Sequence, residues 1–242
     1  MRDFFDKAAS VVLGLAAVAM AVALVHREFF PTKIQGQGRK SAFVADWRNI
    51  LPAGRLSGSP VAPITIVEFT DLQCPFCRRF NGALRAAREK FPDMVSVVVV
   101  HFPLQGHAQA QPAARAVECA NASGKFFETL DFIFEAQDSL GRKPWTWFAN
   151  GSGIADTIRF ARCMADTTAR SMITAGLAMG RKIDLVGTPT VLLNGWRYGN
   201  APSDTELVRA IGDLLGGRKP YKDFPTSALG VGAQSSPRVG NH

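Results

Sequence analysis

The residues best suited to chemistry in this chain are two cysteines separated by two residues, in Cys74-Pro75-Phe76-Cys77. A β-branched and aromatic run precedes them and a helical pattern follows, which predicts the first cysteine at a strand-to-helix junction. The unpaired N–H groups and the dipole of a helix N-terminus stabilise a thiolate there. Two thiols at this spacing can also close a small disulfide ring, so the motif indicates redox chemistry.

Metal binding is the alternative interpretation of this motif, because half of a zinc site has the same spacing. A zinc site would need a second pair of ligands at similar spacing, whereas Cys119 and Cys163 each stand alone. The four histidines are scattered along the chain. We therefore expect no metal and no other cofactor, and we interpret Cys74 and Cys77 as a dithiol/disulfide pair.

The elements around the dithiol predict a βαβ unit. A strand at 64–69, a helix at 76–90 and a second strand at 94–102 follow one another in the sequence. The unbroken valine run of the second strand is typical of a strand that is buried on both faces. The two strands are therefore expected to lie parallel in one sheet, with the helix as their crossover.

A series of helices is predicted next. Three segments carry helical spacing between breaks rich in glycine and proline, namely 108–121, 125–137 and 154–177. The sheet then resumes as a hairpin over 190–198 with its turn at Asn194-Gly195, and a last helix begins after Ser203. This order defines an α/β protein with a thioredoxin fold, carrying a helical insertion at about 106–182 between its βαβ half and its ββα half.

Two motifs in this order resemble the DsbA-like thiol:disulfide oxidoreductases of the thioredoxin-like group. They are Glu68-Phe69-Thr70-Asp71-Leu72-Gln73-Cys74-Pro75-Phe76-Cys77 and, far downstream, Gly187-Thr188-Pro189-Thr190. The resemblance extends over about residues 64–217 and is specific because both motifs occur together. It implies that the protein is a protein-disulfide oxidoreductase.

The resemblance also implies roles for individual residues. Cys74 is expected to be the exposed nucleophile, and Cys77, a turn further into the helix, is expected to be buried and to resolve the mixed disulfide. Pro189 is expected to be a cis proline beside the dithiol, with the backbone of Thr188 pairing with substrate. An ordinary trans proline that opens a strand is the alternative at this position.

Two further residues are expected to tune the exchange. In the resembling family an acid at the position of Glu68 lies beneath the buried cysteine and serves proton transfer, whereas the alternative is a strand-edge glutamate in water. Phe76 stands where strongly oxidising DsbA enzymes carry histidine, at a position that also contacts substrate. Because Phe76 cannot donate a hydrogen bond to a thiolate, we expect a less oxidising couple than the Pro-His type.

The remaining cysteines, Cys119 and Cys163, both fall in the helical insertion. Two leftover cysteines in an exported protein usually pair, and related enzymes often hold a structural disulfide here. We therefore expect a second disulfide, with two buried free thiols as the alternative.

Composition divides the 242-residue chain into four parts. Residues 1–28 contain an uncharged run at 8–25 that is long enough to cross a bilayer, expected to be either a membrane anchor or a cleaved signal. A spacer is expected at 29–60, a thioredoxin-like domain at 61–217 and a disordered tail at 218–242. The net charge of +8 favours anionic lipid surfaces over nucleic acid, for which no motif is present.

The expected function is disulfide exchange outside the cytoplasm, in the periplasm or cell envelope. The chain is expected to act as a monomer that donates the Cys74–Cys77 disulfide to reduced or misfolded exported clients, with a membrane partner that reoxidises it. The alternatives are a disulfide reductase or isomerase of the same compartment and, with weaker support, a copper or metal chaperone that uses the same dithiol.

Overall fold

Six strands form one sheet in a computed structural model that describes residues 41–166 and 170–220. The strands are β1 (Ala42–Phe43), β2 (Gly54–Ser57), β3 (Ile64–Thr70), β4 (Val95–His101), β5 (Thr190–Leu193) and β6 (Trp196–Arg197). The helices are α1 (Pro75–Lys90), α2 (Ala110–Asn121), α3 (Phe126–Glu135), α4 (Trp145–Gly151), α5 (Thr157–Ala165), α6 (Arg170–Lys182) and α7 (Asp204–Leu215). Short 3-10 helices cover Trp47–Ala53 and Gln137–Ser139.

The sheet has the order β1-β6-β5-β3-β4-β2 and contains both predicted halves of the fold. β3 and β4 are parallel, with Ile64 opposite Val95, and α1 connects them. β5 lies antiparallel on the other side of β3 and continues through a tight turn into β6. That turn has positive φ at Asn194 and Gly195, as the sequence pattern requires. The predicted fold class is confirmed.

The central strand β3 sends alternate side chains to two separate apolar clusters. Ile64 and Ile66 pack on the face covered by α1, α7 and most of the insertion. Val67 and Phe69 pack on the opposite face, which is covered by the first 3-10 helix and α6. Glu68 has the same parity as Ile66 and therefore points to the face that carries α1 and the dithiol.

The helical insertion contains more elements than the three segments predicted. The expected helix at 154–177 is represented by α5 and α6, since α5 ends at Ala165 and its cap residue Asp166 has extended backbone angles. α4 lies in a stretch that the pattern treats as a break. Pro144 occupies its N-cap, where a missing N–H does not interrupt the helix, so proline here marks a beginning.

The folded domain begins before the expected boundary, because the second half of the expected spacer at 29–60 belongs to the sheet. β2 pairs antiparallel with Val97–Val100 of β4, and β1 pairs with β6. β2 covers an edge of β4 whose N–H and C=O groups would otherwise lack partners. The strand is short and has no alternating apolar pattern, which is why its sequence indicates a spacer.

A buried ion-pair network joins β2 and β4 to the insertion. The Arg55 guanidinium donates to both carboxylate oxygens of Glu118 on α2, and Glu118 lies 3.0 Å from Nε2 of His101 on β4. Burial raises the pKa of Glu118, but the hydrogen bonds from His101 and Arg55 outweigh it and lower that pKa overall. Because the carboxylate is fully paired, the helix that carries Cys119 is fixed on the sheet.

Three expectations lie outside the described residues: the membrane anchor or signal at 1–28, the first part of the spacer at 29–40, and most of the tail at 218–242. In the part of the chain that the structure describes, none of the helices has both the length and the apolar character needed to span a bilayer.

Cys119 and Cys163 form a disulfide that connects α2 to α5 across 44 residues of sequence. Closing a loop of this length stabilises the native state by about 4 kcal/mol on the chain-entropy estimate. In a Cys74→Ala/Cys77→Ala background, where this is the remaining cysteine pair, reductant should lower the free energy of unfolding by about that amount. Urea unfolding with and without reductant measures the difference, and a change below about 1 kcal/mol would contradict the expected contribution.

Candidate active site

Cys74 is the N-cap residue of α1, directly after β3 and a short turn. Its backbone is extended, and Pro75 occupies the first helical position, where proline fits because no N–H is required. The carbonyl of Cys74 accepts from the N–H of Arg78, which begins the helix. The strand-to-helix junction predicted from the sequence therefore carries the dithiol.

Both thiols are free and buried in the structure, which describes the reduced pair. Cys77 is fully buried, and Cys74, which we expected to be exposed, has only 3% of its surface exposed. The difference arises because Cys74 faces the segment before β5. The Cys74 sulfur lies 3.5 Å from the carbonyl oxygen of Thr188.

The environment of Cys74 lowers the pKa of its thiol to about 5. The largest contribution comes from the Cys77 thiol, which donates a hydrogen bond to the Cys74 thiolate. Burial opposes the shift, while the backbone N–H groups of Cys77 and Phe76 favour it. These N–H groups are among the unpaired donors of the helix N-terminus, so the physical cause expected from the sequence is present.

The environment of Cys77 acts in the opposite direction. Burial raises the pKa of the Cys77 thiol well above its usual value, and the charges of Glu68 and Cys74 raise it further. The N–H of Asp71 donates to the Cys77 sulfur over 3.4 Å and lowers this pKa in part. The two sulfurs therefore hold one proton unequally: Cys74 carries the negative charge and Cys77 keeps its hydrogen.

Glu68 is buried, with 1% of its surface exposed, which removes the alternative of a strand-edge glutamate in water. Burial raises the pKa of Glu68 to about 8, and the charge of Cys74 adds to this effect. The Thr70 side chain lowers the pKa partly, yet within the described residues neither Glu68 Oε1 nor Thr70 Oγ1 has a partner at hydrogen-bond distance. Glu68 is thus protonated at neutral pH, and its charge when ionised acts on both cysteines.

The Thr188–Pro189 peptide bond is cis and lies beside Cys74. Thr188 is buried, and its hydroxyl oxygen has no hydrogen-bond partner among the described residues. The hydroxyl of Thr190 donates to the carbonyl of Gly187 over 2.8 Å and closes the turn on the other side of the proline. The second motif is therefore brought next to the first one, as the resemblance implies.

The turn before Cys74 is fixed by Asp71, which the sequence does not identify as a site residue beyond its place in the motif. Its carboxylate accepts from the N–H groups of Gln73 and Leu104 and from Nδ1 of His107 at 2.7 Å. Its backbone contacts both cysteines, because its carbonyl accepts from the N–H of Cys74 and its N–H donates to Cys77. Asp71 therefore sets the position of the dithiol.

Two glutamines connect the dithiol turn to the helical insertion. The Gln137 amide donates to the carbonyl oxygens of Leu72 and Cys74, over 2.9 and 3.1 Å. The Gln73 side chain accepts from the N–H of Gln109 over 2.6 Å. No sequence pattern marks these residues, because their partners are backbone groups that become neighbours only after folding.

Phe76 projects from the first turn of α1 with 60% of its surface exposed. Its ring lies under the Arg79 guanidinium, at 5.6 Å from the ring centroid. The side chain offers no hydrogen-bond donor to the thiolate, while the Phe76 backbone N–H does contribute to lowering the pKa of Cys74. The position expected to contact substrate is therefore exposed beside the dithiol.

The hydrogen bond from Cys77 is directly testable, because it is the largest cause of the low pKa of Cys74. Cys77→Ala removes the donor and should raise the pKa of Cys74 from about 5 toward the ordinary thiol range. Thiolate absorbance at 240 nm, titrated in the reduced protein, measures the shift, with Cys74→Ala as the blank. An unchanged midpoint in Cys77→Ala would show that the helix N-terminus alone stabilises the thiolate.

Glu68 should act as a proton donor below its pKa of about 8 and should lose this role at more alkaline pH. Burial raises the pKa of Glu68 from 4.5 to about 8, so the unfolded chain ionises this group at lower pH than the folded protein does. The stability that Glu68 contributes is therefore fully present below about pH 4.5 and is lost as the pH rises to about 8. Glu68→Gln should remove this loss of thermal stability between about pH 4.5 and 8 and slow formation of the mixed disulfide about tenfold or more at pH 7. Glu89→Gln, at an exposed position on α1, is the matched control. Equal rates of mixed-disulfide formation in both variants would contradict the role.

A family model described as Thioredoxin matches residues 51–213 of this chain. A curated relative, the Na(+)/H(+) antiporter NhaA 1 of Mycolicibacterium gilvum, is 34% identical over 157 residues. That match covers 64% of this chain but 25% of the antiporter, so the chain spans about a quarter of the length of the curated relatives it matches. The name of the whole antiporter therefore says nothing about this domain.

Solved structures match the described fold over most of their own length. BdbD from Bacillus subtilis, in its oxidised form, has a TM-score of 0.63 and 21% identity, and the match covers 73% of this chain and 98% of BdbD. DsbA2 of Pseudomonas aeruginosa has a TM-score of 0.54 and 29% identity, with 66% and 92% covered. The chain therefore belongs to the thioredoxin family, and it has the fold of the DsbA-like oxidoreductases.

Proposed function

We propose that this protein is an exported protein-disulfide oxidoreductase that donates the Cys74–Cys77 disulfide to client proteins. The observation that carries this proposal is the lowered pKa of Cys74 beside the raised pKa of Cys77. A thiolate stabilised at neutral pH favours the reduced form of the pair. The disulfide therefore accepts electrons readily, which suits a donor of disulfides.

Exchange proceeds in two displacement steps. A client thiolate attacks the sulfur of Cys74, the Cys74–Cys77 bond breaks, and Cys77 leaves and takes a proton from Glu68. A second client thiolate then attacks the client sulfur of the mixed disulfide, and Cys74 leaves as its stabilised thiolate. Two electrons pass from the client dithiol to the enzyme, and the client gains one disulfide, so no cofactor is needed.

Thr188 and Pro189 are proposed to hold the client during the first step. The Thr188 carbonyl lies 3.5 Å from the Cys74 sulfur, so a client cysteine that reaches Cys74 also reaches the backbone of Thr188. An extended client segment can pair with that backbone and leave its side chains free, which allows many sequences to bind. Phe76 supplies an exposed apolar contact beside the dithiol.

An extracytoplasmic location in the periplasm or cell envelope is proposed for this domain. The Cys119–Cys163 disulfide supports it, because such bonds persist in oxidising compartments. The uncharged run at 8–25 is proposed to direct export, either as an uncleaved anchor or as a cleaved signal. The domain acts as a monomer on exported clients, without nucleic acid, and a membrane redox partner restores its disulfide.

A reductase or isomerase of the same compartment is the second candidate. Phe76 favours it, because its side chain cannot donate a hydrogen bond to the Cys74 thiolate. The Cys74–Cys77 disulfide is therefore a weaker oxidant than one with a side-chain donor between the cysteines. Thr188 before the cis proline is compatible with either direction. A copper or metal chaperone remains a weaker third candidate; within the described residues no group of three or more His, Cys, Asp or Glu side chains is arranged to hold a metal ion.

The disulfide donor and the isomerase differ in the redox state of the client that they act on. The oxidised protein should introduce disulfides stoichiometrically into a reduced, unfolded client, and Cys74→Ala should abolish the reaction. The reduced protein should reshuffle the scrambled disulfides of the same client more slowly. Gel separation of alkylated client measures both reactions. Faster reshuffling than oxidation would contradict the donor role and support the isomerase.

A further inference from the structure

The first turns of α1 carry positive charge and an exposed aromatic ring directly beside Cys74. Arg78 and Arg79 follow the dithiol, and no acidic residue lies in the first turn. The Arg79 guanidinium lies over the exposed Phe76 ring. A cation over an aromatic face forms a contact that offers both charge and apolar surface to an approaching molecule.

A second pair of the same type joins Lys143, on the segment before α4, to Trp147 within α4. Lys143 lies over the ring of Trp147, with its Nζ 5.9 Å from the centroid, and 36% of the Trp147 surface is exposed. The segment begins near the dithiol turn: Gly141, two residues before Lys143, lies against the Gln109 side chain, and the Gln109 N–H donates to Gln73, the neighbour of Cys74.

The positive charge around these two cation–aromatic pairs is largely uncompensated by carboxylates. Arg78 lies 3.5 Å from Asp138, whose side chain is 88% exposed. In the part of the chain that the structure describes, no carboxylate lies within 4 Å of Arg79, Arg142 or Lys143. We call Phe76, Arg79, Arg142, Lys143 and Trp147 the basic rim.

We propose that the basic rim selects client segments that carry acidic residues, together with apolar ones, next to the reactive cysteine. This inference rests on the proposed function, since the surface adjoins the sulfur that a client must reach. Charge complementarity identifies the occupant: the rim presents three unpaired cations and two exposed aromatic rings, so a carboxylate beside the client cysteine meets an opposite charge. Such attraction acts mainly on the rate of association.

The attraction should appear in the first displacement step. When a client thiolate attacks the sulfur of Cys74 and Cys77 leaves, the total charge does not change, so flanking carboxylates affect the rate through approach and orientation. For exposed charges this effect is about three- to tenfold at low salt and is largely screened at about 1 M salt.

The test compares peptides of one design whose two cysteines are flanked by glutamate, glutamine or lysine. Each peptide reacts with the oxidised full-length protein in a stopped-flow instrument, in low and in high salt. Flanking charge also changes the reactivity of the peptide thiol itself. Each rate is therefore divided by that peptide's rate with the neutral disulfide 2,2′-dithiodipyridine.

The variant Arg79→Gln/Lys143→Gln removes two charges from the basic rim. The matched control is Arg88→Gln/Lys90→Gln, which removes two exposed charges from the far end of α1. We expect the wild type and the control to prefer the glutamate peptide over the lysine peptide about three- to tenfold at low salt, and the rim variant to lose this preference. High salt should abolish the preference in the wild type and in the control.

Equal normalised rates for the glutamate and lysine peptides in the wild type, or a preference kept by the rim variant, would overturn this inference and leave the proposed function intact. Absence of exchange with every peptide would overturn the proposed function together with it.

Discussion

The redox chemistry of this domain depends on one interaction, the hydrogen bond that the buried Cys77 thiol donates to the Cys74 thiolate. Two sulfurs separated by two residues occupy opposite electrostatic environments: Cys74 has the N–H groups of a helix N-terminus, while Cys77 is buried near Glu68. Each sulfur enforces the state of the other, because the charge on Cys74 opposes a second charge on Cys77. Reduction therefore ends in one thiolate and one thiol, and the stability of that pair determines how strongly the disulfide attracts electrons.

The rest of the domain keeps the two environments apart. β3 ends at the turn where Asp71 contacts both cysteines and is itself held by Gln73, Leu104 and His107. The insertion adds Gln137 on the carbonyl of Cys74, and its own position depends on the Glu118 network. A buried carboxyl that keeps its proton completes the site on the sheet side, since β3 presents Glu68 beneath α1.

The sequence predicts those features that depend on local patterns. The βαβ unit, the Asn194-Gly195 turn and the helix N-terminus at Cys74 each follow from neighbouring residues. The cis form of Pro189 and its place beside the dithiol follow from the resemblance alone. β2 and the contacts of Asp71 were missed because they depend on partners distant in sequence: β2 on the edge of β4, and Asp71 on His107. α4 was missed because Pro144, which occupies its N-cap, also marks a break in the sequence pattern. The burial of Cys74 was also missed, since it results from the segment before β5.

The equilibrium potential of the Cys74–Cys77 pair against glutathione measures how strongly the Cys74 thiolate is stabilised. The pKa of Cys74, about 5, lies between about 7 for thioredoxin and about 3.5 for DsbA, whose potentials are about −270 and −120 mV. We expect an intermediate value, on the order of −180 mV at pH 7. A potential at or below about −270 mV at pH 7 would contradict it.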